Sequence, residues 1–118
     1  MRLGFLTIMT AISLVAITPL AHAQSDNDGT WAVTIVTQQG DCDRSLSSSI
    51  RVSNGRIDEQ GLFARISGGI DESGSVALQV VRGSDKIAAR GTVTGQQARG
   101  AWNSQSRNCA GTWMAMRS

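Results

Sequence analysis

Short runs of alternating apolar and polar residues, separated by turn-forming residues about every ten positions, fill the sequence from residue 29 onward and predict an all-β domain. Trp31, Val33 and Ile35 begin this pattern on one side of a strand. Asn54-Gly55 stands between two such runs, which predicts a two-residue hairpin because both residues tolerate positive φ. Parallel neighbours need a crossover of a dozen or more residues, and every connection here is shorter, so the strands must pair antiparallel.

About eight strands of this kind fit between residues 29 and 118. Besides the hairpin, turns or breaks are predicted at Gly61, Gly68-Gly69, 71–74, 82–85, 95–99 and 104–108. A meander of eight twisted strands with glycine-rich corners tends to close on itself, and closure removes the two exposed edges of the sheet. We therefore predict a small antiparallel up-and-down barrel, with a β-sandwich as the alternative fold.

All three tryptophans of the chain stand two residues after a glycine. The three copies are Gly29-Thr30-Trp31, Gly100-Ala101-Trp102 and Gly111-Thr112-Trp113. A glycine lets two backbones approach closely, and the indole that follows fills the space with the largest apolar side chain. We interpret these glycines and tryptophans as structural, and we place the first and last copies on the two strands that close the barrel.

Two cysteines provide a separate test of this fold. Cys42 lies in the first predicted turn and Cys109 at the end of the last one. In a meander of eight strands these two turns fall at the same end of the barrel, and closure makes the first and last strands neighbours. The sequence therefore predicts a disulfide between the two cysteines, with free thiols as the alternative. A domain this small usually needs such a covalent link.

Residues 1–23 have the pattern of a secretory signal peptide. Arg2 precedes an uncharged, mostly apolar run over residues 3–17, and Ala21-His22-Ala23 matches the small-residue cleavage site. A retained membrane anchor is the alternative. We predict cleavage after Ala23, no stable membrane anchor in the mature chain, a flexible polar tail over residues 24–28, a barrel domain over residues 29–118, and a periplasmic or secreted location.

Catalysis is poorly served by the residues that remain after cleavage. The only histidine, His22, is lost, and Lys86 is the single lysine. General acid–base chemistry near neutral pH most often uses histidine, and a nucleophilic serine needs a neighbouring base. Arg2 is also lost, which leaves ten basic against nine acidic side chains and no basic cluster of the kind that binds nucleic acid. We predict a monomer that is no enzyme, with no cofactor, no metal site and no nucleic-acid partner.

The apolar positions of the strands predict a filled interior. We place Trp31, Val33, Ile50, Leu62, Val76 and the other apolar residues of the same phase inside the barrel. Eight strands of only five to seven residues enclose little space, so these side chains should occupy it. The expectation is a solid barrel that acts through its surface, tail or loops, and a hollow carrier of small molecules is the alternative.

The beginning of the domain resembles that of the lipocalins, the best-known calycin barrels. Their first strand starts with Gly-x-Trp, which Gly29-Thr30-Trp31 matches. In lipocalins a basic residue of the last strand packs over this ring at the closed end of the barrel. The resemblance implies a calycin-like barrel in which Arg117 covers Trp31.

A second resemblance is to the small periplasmic inhibitors of secreted bacterial metalloproteases. These also begin with Gly-x-Trp and continue to a Cys-Asp-x-x-Leu, which is similar to Cys42-Asp43-Arg44-Ser45-Leu46. Their second cysteine follows soon after the first, whereas Cys109 stands near the end of this chain. In that family a short N-terminal tail enters the protease cleft. The resemblance implies that the tail binds the partner, through Gln24, Ser25, Asp26, Asn27 and Asp28.

Three functional hypotheses follow from these observations. The first is an exported, non-enzymatic binding protein that inhibits a secreted protease, or binds another envelope protein, through its tail. The second is a binder of small apolar ligands of the lipocalin type. The third is a structural protein of the cell envelope.

Overall fold

A computed structural model of the chain describes residues 26–61 and 64–118, together with the single positions 4 and 11. The remainder of the predicted signal peptide, the predicted partner-binding residues Gln24 and Ser25, and the predicted interior residue Leu62 lie outside the described residues. The described part holds no helix that is long and apolar enough to cross a membrane. Its strands are β1 (Gly29–Gln39), β2 (Ser45–Val52), β3 (Arg56–Gln60), β4 (Arg65–Ile70), β5 (Ser75–Arg82), β6 (Asp85–Thr94), β7 (Gln97–Ser104) and β8 (Cys109–Arg117).

The eight strands form one antiparallel sheet that curls into a nearly closed barrel. Their order is β2-β1-β8-β7-β6-β5-β4-β3, so the first and last strands are neighbours. Ile35 of β1 lies opposite Trp113 of β8, and Trp31 lies opposite Arg117. The predicted all-β barrel is confirmed, including the placement of the first and last Gly-x-Trp copies on adjacent strands. The hydrogen-bonded sheet ends at β2 and β3, which are its two edges.

Local turn chemistry sets most of the connections. Asn54 and Gly55 have φ of 54° and 73°, as a two-residue hairpin between right-twisted strands requires. In the turn before β5, the Ser73 hydroxyl and the Ser75 amide both donate to Asp71 Oδ1, at 2.6 and 2.9 Å. These hydrogen bonds, the first from Ser73, favour the carboxylate and lower the pKa of Asp71 below its ordinary value. The predicted turns at 54–55 and 71–74 are therefore present.

The predicted break at Gly68-Gly69 is wrong, because both glycines lie inside β4. Gly68 has φ of 138°, and a Cβ atom there would lie only 2.1 Å from the carbonyl oxygen of Ala77 on β5. The glycine thus allows a close approach of two paired strands within the sheet. Glycine content alone does not distinguish this use from a turn.

The second and third Gly-x-Trp copies pair with each other in opposite directions. Gly100 of β7 lies opposite Trp113 of β8, and Trp102 lies opposite Gly111. The Trp102 indole donates to the carbonyl oxygen of Val36, the atom that a Cβ at Gly111 would approach to 1.8 Å. Each of these two indoles therefore lies across the glycine of the neighbouring strand, an arrangement that compensates for the missing side chain.

The core is built around the three tryptophans. Trp31 is 2% exposed, and Trp102 and Trp113 are 7% and 6% exposed. The other buried apolar residues are Ile50, Val52, Ile57, Val76, Ala98, Cys109 and Ala115. Together with the tryptophans they come from six different strands, so the core forms only when the sheet has curled.

A disulfide joins Cys42, in the connection between β1 and β2, to Cys109 at the start of β8. The two residues are 67 positions apart in sequence, and their Cα atoms are 6.1 Å apart. The predicted disulfide is confirmed. Its position agrees with the expectation that the first and last turns of an eight-stranded meander lie at the same end of the barrel.

Replacement of Gly111 by Ala is expected to lower the free energy of unfolding by about 1–3 kcal/mol, because the new methyl group would collide with the Val36 carbonyl. Chemical denaturation measures the change. The matched control is Gly61→Ala, where the nearest atom to the added Cβ is the Ala64 oxygen at 3.6 Å. Equal stability of the two variants would contradict the close packing of β1 and β8.

Replacement of Cys109 by Ser is expected to lower the free energy of unfolding by about 4 kcal/mol, the value that loop entropy gives for a loop of this length. Denaturation is measured in oxidising buffer and again with reductant. The difference from the wild type should disappear in reductant. A variant that unfolds at the wild-type midpoint in both buffers would show that the disulfide does not stabilise the fold.

Candidate ligand cavity

The barrel interior contains a cavity of about 440 Å³. The expectation of a solid barrel is therefore wrong. Small residues at inward positions explain the free volume: Ala89, Ala98 and Ala115 line the cavity, and Gly91 and Gly100 belong to the same inward phase. The sequence shows enough apolar residues for a core, but the space that they must fill depends on how far the sheet curls.

The wall of the cavity is largely apolar, and its indole N–H groups already have hydrogen-bond partners. Trp31, Trp102 and Trp113 all line the cavity. Their indole N–H groups donate to the backbone oxygens of Asn27, Val36 and Arg90, at 2.9, 3.1 and 3.3 Å. None of the three indoles therefore has a spare donor for a bound molecule. The deep part of the cavity offers a ligand apolar contacts alone.

The charged lining residues lie at the end of the barrel that carries the disulfide. Asp41 and Asp43 come from the connection after β1, and Arg82 is the last residue of β5. Arg107 Nη1 lies 3.7 Å from Asp85 Oδ2, and both residues line the cavity. The cavity is thus apolar at depth and has charges of both signs at its rim.

Sequence reasoning did not find this rim. Arg82 stands two residues after Val80 and so continues the series of inward positions Val76, Leu78 and Val80. This alternation is the one feature of the sequence that indicates that Arg82 borders the cavity. Inward phase at a strand end does not by itself indicate a rim. Which turns share an end of the barrel, and which side chains border an opening, follow only from the closed sheet.

The opposite end of the barrel is closed by Trp31 and Arg117. The guanidinium carbon of Arg117 lies 5.4 Å from the centre of the Trp31 ring, which is the packing that the lipocalin resemblance implies. Arg117 Nε donates to Gln96 Oε1 at 2.8 Å, and Nη1 donates to the backbone oxygens of Asp26 and Asp28. The arginine thus joins the last strand, a turn and the segment that precedes β1.

Residues 26–28 of the predicted tail are bound to the barrel. The Asp28 carboxylate accepts hydrogen bonds from the amides of Asn54 and Gly55, at 2.8 and 2.9 Å. The backbone oxygen of Asn27 accepts the Trp31 indole N–H. In the structure these three residues are thus hydrogen-bonded to the barrel. A polar segment with no apolar residue can still be held through its carboxylate and carbonyl oxygens, which composition does not reveal.

The usual metal-ligating side chains do not cluster in the described residues. Within 26–61 and 64–118 no three side chains of the His, Cys, Asp or Glu type come together to hold a metal ion. Met114 and Met116, which could serve as soft ligands, are 58% and 52% exposed on the outer face of β8.

Comparison with known proteins adds no family to this description. No protein-family model matches the sequence, and neither a curated protein nor a solved structure is significantly similar to it. What the structure defines is a class, an eight-stranded, nearly closed antiparallel barrel with one disulfide. The two resemblances noted in the sequence stay at the level of that fold.

Replacement of Arg117 by Ala is expected to lower the free energy of unfolding by about 1–2 kcal/mol, since the stacking on Trp31 and several hydrogen bonds are lost. The control is Arg99→Ala, because Arg99 is exposed on β7. That change should stay within about 0.5 kcal/mol. Equal effects in urea denaturation would show that Arg117 does not hold the closed end.

Proposed function

We propose that this protein binds a small apolar molecule inside its barrel. The observation that supports the proposal is the cavity of about 440 Å³ with its apolar wall and polar rim. Pockets that bind small molecules usually measure about 300–1,000 Å³ and combine an apolar lining with a few polar groups. This is the second of the three hypotheses drawn from the sequence.

The cavity also indicates what the ligand should look like. Its buried part must be apolar, because the indole N–H groups already have backbone partners. A buried polar group without a partner would be unfavourable by about 1–3 kcal/mol. Any polar group of the ligand should lie at the rim, near Arg82 and the Asp85–Arg107 ion pair.

Inhibition of a protease through the tail stays a prediction with less support. Residues 26–28 would have to leave their hydrogen bonds with Asn54, Gly55, Trp31 and Arg117 to enter a protease cleft. They also lie at the closed end of the barrel, away from the cavity rim. A structural role in the envelope accounts for neither the cavity nor its rim.

The same proposal includes export of the chain. Disulfides are typical of proteins that fold outside the cytoplasm, and Cys42 and Cys109 form one here. Together with the signal-peptide pattern of residues 1–23, the disulfide supports a periplasmic or secreted location.

A direct test uses N-phenyl-1-naphthylamine, a neutral dye that becomes fluorescent in apolar surroundings. Ala89→Phe should weaken dye binding by about tenfold or more, because the new ring takes up cavity volume and overpacking is unfavourable by about 1–3 kcal/mol. The matched control is Ala88→Phe on the same strand, where the side chain is exposed. Fluorescence titration gives both affinities.

Two outcomes would contradict the proposed function. One is a wild-type protein that does not bind the dye at all. The other is a dye that binds equally to the wild type and to both variants, which would place it on the outer surface. Thermal unfolding of the three proteins shows whether the Ala89→Phe barrel is folded in the assay.

A further inference from the structure

The sheet leaves one seam without regular strand pairing, between β2 and β3. Beside the Asn54-Gly55 hairpin, Ser53 and Arg56 exchange two backbone hydrogen bonds of 2.9 and 3.0 Å. One step further the ladder stops, because the Arg51 amide donates to the side-chain oxygen Glu59 Oε1 at 2.6 Å instead of to a backbone oxygen. From this point toward the rim of the cavity the two strands are not paired.

The direction of the backbone groups along β2 follows from these hydrogen bonds. In an extended strand the N–H and C=O of one residue point to the same side, and successive residues alternate. Arg51 and Ser53 direct their groups toward β3. Ser47 and Ser49 share their phase and must direct theirs into the seam as well. The intervening Ser48 has the same phase as Arg44, whose oxygen accepts the Thr37 amide of β1. Ser48 therefore directs its backbone groups toward β1.

The rim half of β2 also lacks the usual protection of an exposed edge. Residues 45–49 are all exposed and read Ser-Leu-Ser-Ser-Ser, with no proline and no charge. Natural edge strands are normally blocked by lysine, proline, bulges or inward charges, because an open edge pairs readily with another strand. The facing strand β3 does carry charges, among them Arg56 and Asp58. The β2 edge is thus the side of the seam that is free to take up a strand.

We propose that the β2 edge binds an extended peptide segment of a partner protein by strand addition. The backbone of the segment would pair with Ser47 and Ser49, and alternate side chains would point inward past Leu46, which is 47% exposed and lines the cavity. These inward side chains should be apolar, because the cavity wall behind them is apolar. A second copy of the barrel fits less well, since its own β2 is tied to its own β1 and cannot send side chains into this cavity.

The proposal does not depend on small-molecule binding, and amide hydrogen exchange followed by NMR tests it. In the free protein the Ser47 and Ser49 amides should exchange rapidly, whereas the Leu46 and Ser48 amides should be protected by their bonds to β1. The probe is the peptide acetyl-Lys-Val-Thr-Val-Thr-Val-Lys-amide. Its addition should slow exchange at Ser47 and Ser49. The same peptide with N-methyl groups on its threonines is the control and should have no effect, because an antiparallel segment with its valines inward directs the threonine N–H groups toward β2.

A matched pair of proline variants separates strand addition from a change in fold. Ser47→Pro removes only a seam-facing N–H, so we expect near wild-type thermal stability but about tenfold weaker peptide binding. Ser48→Pro removes a ladder bond to β1, so we expect a clear loss of stability. Peptide affinity is measured by titration of the labelled protein.

Three results would overturn the proposal. Protection of the Ser47 and Ser49 amides in the free protein would mean that the seam is closed. Unchanged exchange at a millimolar excess of the peptide would mean that the edge does not accept a strand. Protection that rises with protein concentration and without peptide would indicate pairing with a second copy. Dye binding in the cavity is measured separately, so its failure leaves these readouts unaffected.

Discussion

The rest of the barrel depends on the way two tryptophans lie across two glycines. Trp102 and Trp113 face Gly111 and Gly100 on the neighbouring strand, and each indole reaches past its glycine to a carbonyl oxygen one strand further on. A side chain on either glycine would collide with that same backbone. The pairs therefore couple close strand approach to indole packing, and together they hold the curvature that brings β8 against β1.

The cavity is a consequence of the same arrangement. The indoles cover the inner face near the glycines and use their N–H groups on the backbone, so they add apolar surface without adding a polar contact. Alanine and glycine at several inward positions leave free volume at the centre. Trp31 and Arg117 close one end, while the disulfide and several charged side chains surround the other. A barrel built in this way has a distinct floor and rim, which is the basis of the proposed ligand binding.

Closure between β1 and β8 also determines where the barrel stays open. The hydrogen-bonded sheet has two remaining edges, which are β2 and β3. A hairpin holds their ends together, and a glutamate oxygen takes the place of the next backbone acceptor. The seam thus reaches the cavity rim beside residues 45–49 of β2, which carry no charge, and strand addition there uses backbone groups that no described strand pairs.

The sequence by itself determined the fold class, the strand directions, the Asn54-Gly55 hairpin and the disulfide between Cys42 and Cys109. The alternation of apolar and polar residues, the short connections and the even number of strands can all be read directly along the chain. Only the tertiary structure decided that the interior is hollow, that residues 26–28 are bound to the closed end, and that β2 and β3 are not paired beyond the hairpin. Each of these features depends on the curvature of the whole sheet or on hydrogen bonds between distant segments. The alternation of residues along a single strand contains no information on either of these two causes.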